Sequence, residues 1–254
     1  MNQPAPPRAL ALLLGAWACG DTPAAPLGLD GPVPSPVESR APKKLGPDVC
    51  AFGQPFSLDP GNPWYPLTPG SYWILEGEED GTRIRLRIEV MDATEDVGGV
   101  TTRVLVETEW EDGNEDGVWE DDDLVEISTN YFAGTADGTV CYFGEAVDDY
   151  EDGEIVSHEG EWRADEAGHW PGTFMPADPV PGVRFQLEGA PGIAEDEGRI
   201  VGVGPITVAA GTFPVTLRLR EYNPLDEEKD YKVFASGVGT IVDGPLALVE
   251  YDVQ

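Results

Sequence analysis

Apolar and polar residues alternate along several segments between residues 50 and 254. In the segment 82–90 one face carries four apolar residues: Ile84, Leu86, Ile88 and Val90. The same period of two recurs at three further sets of positions: Val104, Val106, Thr108 and Trp110; Val125, Ile127, Thr129 and Tyr131; Val215, Leu217 and Leu219. This period predicts β-strands that bury one face and expose the other, which is typical of an antiparallel sheet.

Turn residues separate these runs. Asp-Gly pairs begin at positions 80, 112, 116, 137, 152 and 243, and Asp-Gly is the strongest short signal for a hairpin. Residues 164–181 lack a clear strand pattern, but their Gly and Pro content argues against a helix. We therefore predict an all-β fold, in which an antiparallel meander forms a curved sheet or an open or closed barrel. A two-layer β-sandwich is the alternative.

The amino terminus has the pattern of an export signal. One positive charge, Arg8, precedes an apolar run at 9–17 that is too short to span a membrane. The run ends at Cys19, and the segment AWAC resembles a bacterial lipobox, whose cysteine carries the lipid (palmitate among its acyl chains) and begins the mature chain. An ordinary signal peptide with an incidental Cys19 is the alternative. We predict an exported lipoprotein, anchored through this lipid to the bacterial cell envelope at the outer membrane, in the periplasm or on the cell surface.

Composition changes sharply after the cysteine. Residues 21–48 are rich in Pro, Ala, Gly and Ser, and such a segment buries too little apolar surface to offset its ordering entropy. We predict a signal peptide at 1–18, the lipid-attachment cysteine and a Pro-rich disordered linker at 19–49, and a single β-rich domain at 50–254.

Charge excludes one class of function. The chain has 48 acidic and 15 basic residues, for a net charge of −33. A surface of this sign repels the phosphates of nucleic acids and of anionic lipids, and it attracts cations. Nucleic-acid binding is therefore excluded, and the membrane is a partner only through the lipid.

Two cysteines remain once Cys19 carries lipid. They are Cys50 and Cys141, and an even number of cysteines in an exported protein favours a disulfide. A bond between them would fasten the start of the domain to a strand far along the chain. Two free buried thiols are the alternative.

The segment EWEDGNEDGVWEDDD (109–123) matches the oxygen spacing of a twelve-residue calcium loop. Counted from the first aspartate, the predicted Ca²⁺ ligands are Asp112, Asn114, Asp116, Val118 (through its carbonyl), Glu120 and Asp123. The last position holds Asp, which is shorter than the usual Glu, and the flanks are strands rather than helices. Two interpretations stay open: a calcium loop between two strands, and an acidic hairpin with its carboxylates in water. Ca²⁺ is the one cofactor that the sequence suggests.

Catalytic motifs are not found in the sequence. It has no Gly-x-Ser-x-Gly elbow, no His-Glu-x-x-His and no phosphate loop. His158 falls in a predicted strand, and His169 adjoins Trp170 in the segment without strand pattern. We predict no catalytic residues, although a secreted hydrolase remains a remote alternative. Six aromatic residues fit either a core or a ligand cavity: Trp64, Tyr65, Tyr72, Trp73, Tyr142 and Phe143.

Several phrases resemble an uncharacterised family of exported bacterial β-rich proteins and lipoproteins. They are NPWYPLTPGSYWILEG (62–77), DGTVCYFGE (137–145), PGTFMPADPVPG (171–182), PGIAEDEGRI (191–200), AGTFPVTLRLRE (210–221) and SGVGTIVD (236–243). The chain departs from the family at Cys141, where an aromatic residue is usual, and in its longer acidic segment. This resemblance implies compartment and fold, but no activity.

A looser similarity, in the Pro-Leu-x-x-Gly-x-x-Trp opening, links the chain to bacterial lipoprotein carriers, whose curved sheets hold an acyl chain. We therefore expect a non-enzymatic binding or envelope-structural domain, with a carrier of a hydrophobic ligand as the alternative. The sequence does not identify a protein or small-molecule partner.

Overall fold

The computed structural model describes residues 43–114 and 116–254. The predicted signal peptide, the lipidation residue Cys19 and most of the predicted linker lie outside these ranges. Within them the fold is all-β, as predicted: fifteen strands form one sheet, and every strand pair is antiparallel. No helix in this part of the chain has the length and apolar character needed to cross a membrane.

The strands range in length from two to sixteen residues. In chain order they are β1 (Phe56–Ser57), β2 (Tyr72–Glu79), β3 (Thr82–Val97), β4 (Val100–Asp112), β5 (Leu124–Thr135), β6 (Val140–Glu151), β7 (Glu154–Ser157), β8 (Trp162–Arg163), β9 (Gly172–Met175), β10 (Arg184–Gln186), β11 (Glu197–Val208), β12 (Gly211–Tyr222), β13 (Lys229–Ala235), β14 (Gly239–Asp243) and β15 (Leu246–Asp252). Two short 3-10 helices, η1 (Pro47–Cys50) and η2 (Asp121–Asp123), precede β1 and β5.

Two meanders meet in the middle of the sheet. Strands β2 to β7 pair in chain order, as do β10 to β15, and the pairing of β15 with β2 joins the two halves. The outer edge of β6 is paired in turn by β9, β8 and β7, while β1 adds to the end of β5. The result is one curved sheet rather than the two packed layers of a sandwich.

The sheet is not closed by a strand pair, but its two ends touch. The Trp170 N–H, before β9, donates to the Gly189 carbonyl, beyond β10, at 2.9 Å. A Cβ at Gly172 would overlap the Leu187 carbonyl, so only glycine allows β9 to lie this close. These contacts hold the open barrel nearly shut.

Aromatic rings fill one end of the interior. Tyr65, Phe132, Tyr142, Phe174 and Phe234 lie against one another, with the Tyr65 and Phe174 ring centroids 4.5 Å apart and those of Phe132 and Tyr142 4.8 Å apart. Each buried ring stabilises the fold by roughly 1.5–3 kcal/mol through area alone. This end of the domain is a packed core.

Contacts with the sheet begin before the predicted domain boundary at residue 50. The Leu45 N–H donates to the Arg184 carbonyl at 2.9 Å, and the Arg184 N–H donates to the Lys43 carbonyl at 3.0 Å. Residues 43–45, which we assigned to the linker, therefore run beside the start of β10.

Candidate functional site: an acidic interior

The buried face of β4 carries carboxylates instead of the predicted apolar residues. Leu86 of β3 lies opposite Glu109 of β4, and Ile88 lies opposite Glu107. Opposed residues share one face of a sheet, and Leu86 and Ile88 are buried. The prediction for β4 is therefore wrong. The residues predicted to face inward lie on the other side of the sheet: Val104, Val106, Thr108 and Trp110.

The same inversion occurs in β5. Glu126, Ser128 and Asn130 are buried, whereas the predicted inward set alternates with them on the opposite face: Val125, Ile127, Thr129 and Tyr131. The registers place Glu109 opposite Glu126, and Glu126 opposite Asp149 of β6. Three carboxylates thus form one row across the inside of the sheet.

The opposite wall of the interior is also charged. On β13, Lys232 lies opposite Leu219 of β12 and Asp243 of β14, and Glu221 is two residues beyond Leu219 on the same face. We call the whole set the interior acidic cluster, and its members are Glu107, Glu109, Glu126, Glu145, Asp149, Glu188, Asp196, Glu221, Asp243 and Lys232. Glu107 is half-buried, and all the others are buried.

The two walls act on each other across the interior. Burial raises the pKa of Glu107 on β4, and the charge of Lys232 on β13 opposes that rise. Burial, then repulsion by Asp196 and by Glu145 on β6, raise the pKa of Glu188, which follows β10. Like charges at this depth repel strongly, because little water is present to screen them.

Burial is the main cause of altered titration here. It raises the pKa of Glu107 to about 7, against the opposing effect of Lys232, and that of Asp196 to about 7. Burial and then repulsion by Glu126 raise the pKa of Glu109 well above its usual range. Burial likewise raises the pKa of Glu145, Glu188 and Glu221. Most of these carboxyls therefore carry their protons near neutral pH.

Several oxygens of the cluster lack a hydrogen-bond donor. They are Glu109 Oε1, Glu145 Oε2, Asp149 Oδ2 and Glu188 Oε2, each fully enclosed within the described part of the chain. A buried polar atom without a partner costs about 1–3 kcal/mol. A proton on the carboxyl reduces this cost, because it removes the charge. Across residues 43–114 and 116–254, no three His, Cys, Asp or Glu side chains are arranged to hold a metal ion.

Lys232 is the cationic member of the cluster. Its Nζ lies 2.8 Å from Asp243 Oδ2 and 3.9 Å from Glu221 Oε2. Burial lowers the pKa of Lys232, but attraction by Asp243, Glu221 and Glu107 outweighs burial and raises the pKa well above its usual value. The three groups from β12, β13 and β14 form a compact triad away from solvent.

The first half of the predicted calcium loop is bonded to its own backbone. Asp112 accepts N–H groups from Asp116 at 3.2 Å and Gly117 at 3.0 Å, and its Oδ2 also pairs with Arg83 Nη1 at 3.0 Å. Asn114 Oδ1 accepts the Asp116 N–H at 2.9 Å. These are the contacts of a tight turn stabilised by side-chain oxygens.

The second half forms a separate unit. Glu120 and Asp123 cap η2 reciprocally, with Asp123 Oδ2 accepting the Glu120 N–H at 3.0 Å. Val118, between the halves, is 54% exposed, and Asp116 Oδ1 accepts its N–H at 2.8 Å. Ca²⁺ binding by the predicted ligands stays a prediction.

The structure joins Cys50 and Cys141 by a disulfide, with Cα atoms 5.7 Å apart. Cys50 ends η1, where the chain enters the domain, and Cys141 lies in β6. The Thr173 hydroxyl of β9 lies 3.6 Å from Cys50 Sγ. The bond thus fastens the entry segment to a central strand.

The two histidines have local partners. His158 Nδ1 lies 2.7 Å from the Val147 carbonyl and 3.0 Å from Asp148 Oδ1. His169 Nδ1 lies 3.0 Å from the Arg163 carbonyl. Neither of these contacts involves the interior acidic cluster.

Most of the six aromatic residues with two possible roles belong to the core. Tyr65, Trp73, Tyr142 and Phe143 are buried, and Trp64 packs beside them. The Tyr72 hydroxyl instead donates to Glu250 at 2.7 Å near the surface. A groove of about 280 Å³ lies beside residues 43–49 and is also lined by Pro176, Val180 and Val183.

Sequence reasoning missed the interior acidic cluster because period two does not say which face is buried. A usable signal exists for Lys232 and Asp243. The turn at 236–238 pairs Ala235 with Gly239, and counting outwards brings the lysine opposite the aspartate once a one-residue bulge is allowed. For β4 and β5, only the register with β3 reveals the inversion.

Comparison of the chain with protein-family models, curated proteins and solved structures found no match. The family resemblance drawn from the sequence phrases stays a prediction.

Proposed function

We propose that this chain is an exported bacterial lipoprotein whose β-domain is a non-enzymatic binding or structural module of the cell envelope. Lipid on Cys19 holds the protein at the membrane, and the Pro-rich segment that follows sets the domain away from it. The observation that carries the proposal is the position of the Cys50–Cys141 disulfide.

A tether ahead of residue 43 pulls first on the hydrogen bonds of Lys43 and Leu45 with Arg184, and then on Cys50, the first covalently fastened point of the domain. The disulfide passes that load to β6, which is paired on one edge by β5 and on the other by β7, β8 and β9. A central strand resists being peeled away because hydrogen bonds hold both of its edges. In a chain-entropy model, a cross-link closing a loop of this size stabilises the fold by about 4–5 kcal/mol.

The packed aromatic end favours a rigid module rather than a carrier of a hydrophobic ligand. A carrier needs an apolar space for its ligand, whereas here Tyr65, Phe132 and Phe174 occupy the apolar end with ring centroids 4.5–5.4 Å apart. Acidic side chains and Lys232 line part of the remaining interior, beside apolar residues such as Leu86 and Leu219, and these polar groups disfavour an acyl chain.

Cell fractionation tests the anchor. The wild-type protein should sediment with membranes, and Cys19→Ser should move it to the soluble fraction, because serine lacks the thiol that the lipid requires. The matched control is the double variant Cys50→Ala with Cys141→Ala, which should remain in the membrane fraction while losing thermal stability. A Cys19→Ser protein that still sediments with membranes contradicts the proposal.

A further inference from the structure

Lys232 and Asp243 face each other directly on adjacent strands. The β13–β14 register pairs the two residues, and Nζ lies 2.8 Å from Oδ2. Glu221 on β12 completes the group, with its Oε2 3.9 Å from Nζ. The lysine side chain is 5% exposed, and both carboxylate side chains are 3% exposed.

The surroundings of the triad exclude water but retain charge. The neighbouring titratable groups are Tyr65 in the segment before β2, Glu107 on β4, Asp196 just before β11 and Asp230 on β13. Asp243 Oδ1 has no hydrogen-bond partner among the described residues. One oxygen of Asp243 therefore contacts Lys232 Nζ, while the other accepts no hydrogen bond from the described residues.

The geometry suits bond formation between nitrogen and carbon. A nitrogen 2.8 Å from a carboxylate oxygen lies within roughly 4 Å of the carbon that bears the oxygen, close to the ~3–3.5 Å separation of groups poised to react. The two strands hold both side chains in register, so little motion separates this contact from attack.

We propose that Lys232 and Asp243 condense to an intramolecular amide, with Glu221 moving the protons. The bond joins Nζ to Cγ and covalently links β13 to β14. It depends on the triad alone and is independent of the lipid anchor.

The reaction balances without a cofactor. A proton first passes from Nζ to the Asp243 carboxylate, which neutralises both groups. The Nζ lone pair then attacks Cγ, and a tetrahedral centre forms. Glu221 donates its proton to the departing hydroxyl and takes one from the nitrogen, so the Cγ–O bond breaks, one water leaves and Glu221 is restored.

The interior holds the proton that Glu221 must donate, and it favours the neutral product. Burial raises the pKa of Glu221, so it carries the proton that it must donate. A buried ion pair retains a desolvation cost, and the amide replaces two charges with one neutral group. Once the released water leaves the interior, little water remains there to hydrolyse the new amide bond.

Tryptic mapping of the denatured full-length protein tests the proposal. The chain has no Lys or Arg after residue 232, so trypsin should cut after Lys229 but not after an acylated Lys232. The expected product is a single peptide spanning 230–254, lighter than its sequence by one water. Cleavage after Lys229 serves as the internal control for digestion.

Variants distinguish formation of the amide from other reactions that release water. Asp243→Ala and Lys232→Arg should remove the mass deficit, and Glu221→Gln should leave most of the protein uncondensed, with Lys232 open to trypsin. If Asp243→Ala fails to fold, the Glu221→Gln protein still decides the matter, because glutamine keeps the shape of the side chain.

Two outcomes overturn the proposal. The first is a wild-type digest that contains 230–232 and 233–254 as separate peptides of full mass. The second is a 233–254 peptide that is lighter by one water while Lys232 is cleaved, because that result places the loss in a succinimide at Asp243–Gly244.

Discussion

At the residue scale, Glu109 illustrates how this sheet departs from simple alternation. It is 4% exposed, lies opposite Glu126, and its Oε1 meets no donor in the described chain. An ionised carboxylate in this position is poorly solvated and repelled by its neighbours. The fold tolerates Glu109 because the group keeps its proton.

Replacement of Glu109 by glutamine should therefore stabilise the domain at pH 7.5. Glutamine has nearly the same shape and cannot ionise, so we expect the free energy of unfolding to rise by about 1 kcal/mol or more. Urea titration followed by tryptophan fluorescence measures the change.

The exposed Glu154 on β7 provides the matched control, since Glu154→Gln removes an equal charge at the surface. Equal effects of the two substitutions, or a loss of stability in Glu109→Gln, would contradict a protonated interior.

At the element scale, the acidic connection between β4 and β5 decides the calcium hypothesis. Its oxygens form two groups, one around Asp112 and one around Asp123. Binding requires these groups to converge on one ion, and millimolar Ca²⁺ should then raise the melting temperature above that in chelator.

The double variant Asp112→Asn with Asp116→Asn should abolish the calcium-dependent rise in melting temperature. Asp121→Asn with Asp122→Asn removes the same charge from exposed positions that are not predicted ligands, and it should leave the rise intact. An identical response to Mg²⁺, or an unchanged response in the first variant, shows that the loop is only a solvated hairpin.

The strands also show what the sequence can and cannot predict. Strand β3 is predicted correctly, because its outer face carries three arginines, and Ile84, Leu86 and Ile88 then have a single direction to face. In β4, glutamates alternate with Val106, Thr108 and Trp110, so the pattern fits either orientation. The choice depends on the register with β3, where Arg85 lies beside Trp110 and over Trp119 on the outer face.

At the scale of the whole molecule, local signals predict the meanders but not their junction. Asp-Gly turns specify neighbouring strands, whereas the pairing of β15 with β2 joins residues more than 150 positions apart, as Leu248 and Leu75 illustrate. That junction, with the contact of Trp170 and Gly189, encloses the interior acidic cluster. The candidate site is thus a property of long-range closure, and no single segment encodes it.

The enclosed carboxyls link the stability of the molecule to pH. Glu107 and Asp196 have ordinary pKa values of 4.5 and 3.8, and burial raises both to about 7 in the folded protein. A group whose pKa is raised by folding binds more protons in the folded state than in the unfolded state. Its stabilising effect is therefore complete below its ordinary pKa. It is lost as the pH rises to about 7, by up to about 1.4 kcal/mol per pH unit for each proton. Asp137 and Asp165 have lowered pKa values, so they change the stability of the domain only at more acidic pH.

The pH dependence of unfolding tests most directly whether the interior carboxyls with raised pKa values keep their protons in the folded protein; they are Glu107, Glu109, Glu145, Glu188, Asp196 and Glu221. The free energy of unfolding of the wild-type domain should fall steadily between pH 5 and pH 7.5. The double variant Glu107→Gln with Asp196→Asn should show a clearly shallower fall, while the remaining slope includes His158, whose pKa is raised by its hydrogen bond with Val147. A wild-type stability that is constant or rises over this range, or an equal slope in the double variant, contradicts the account.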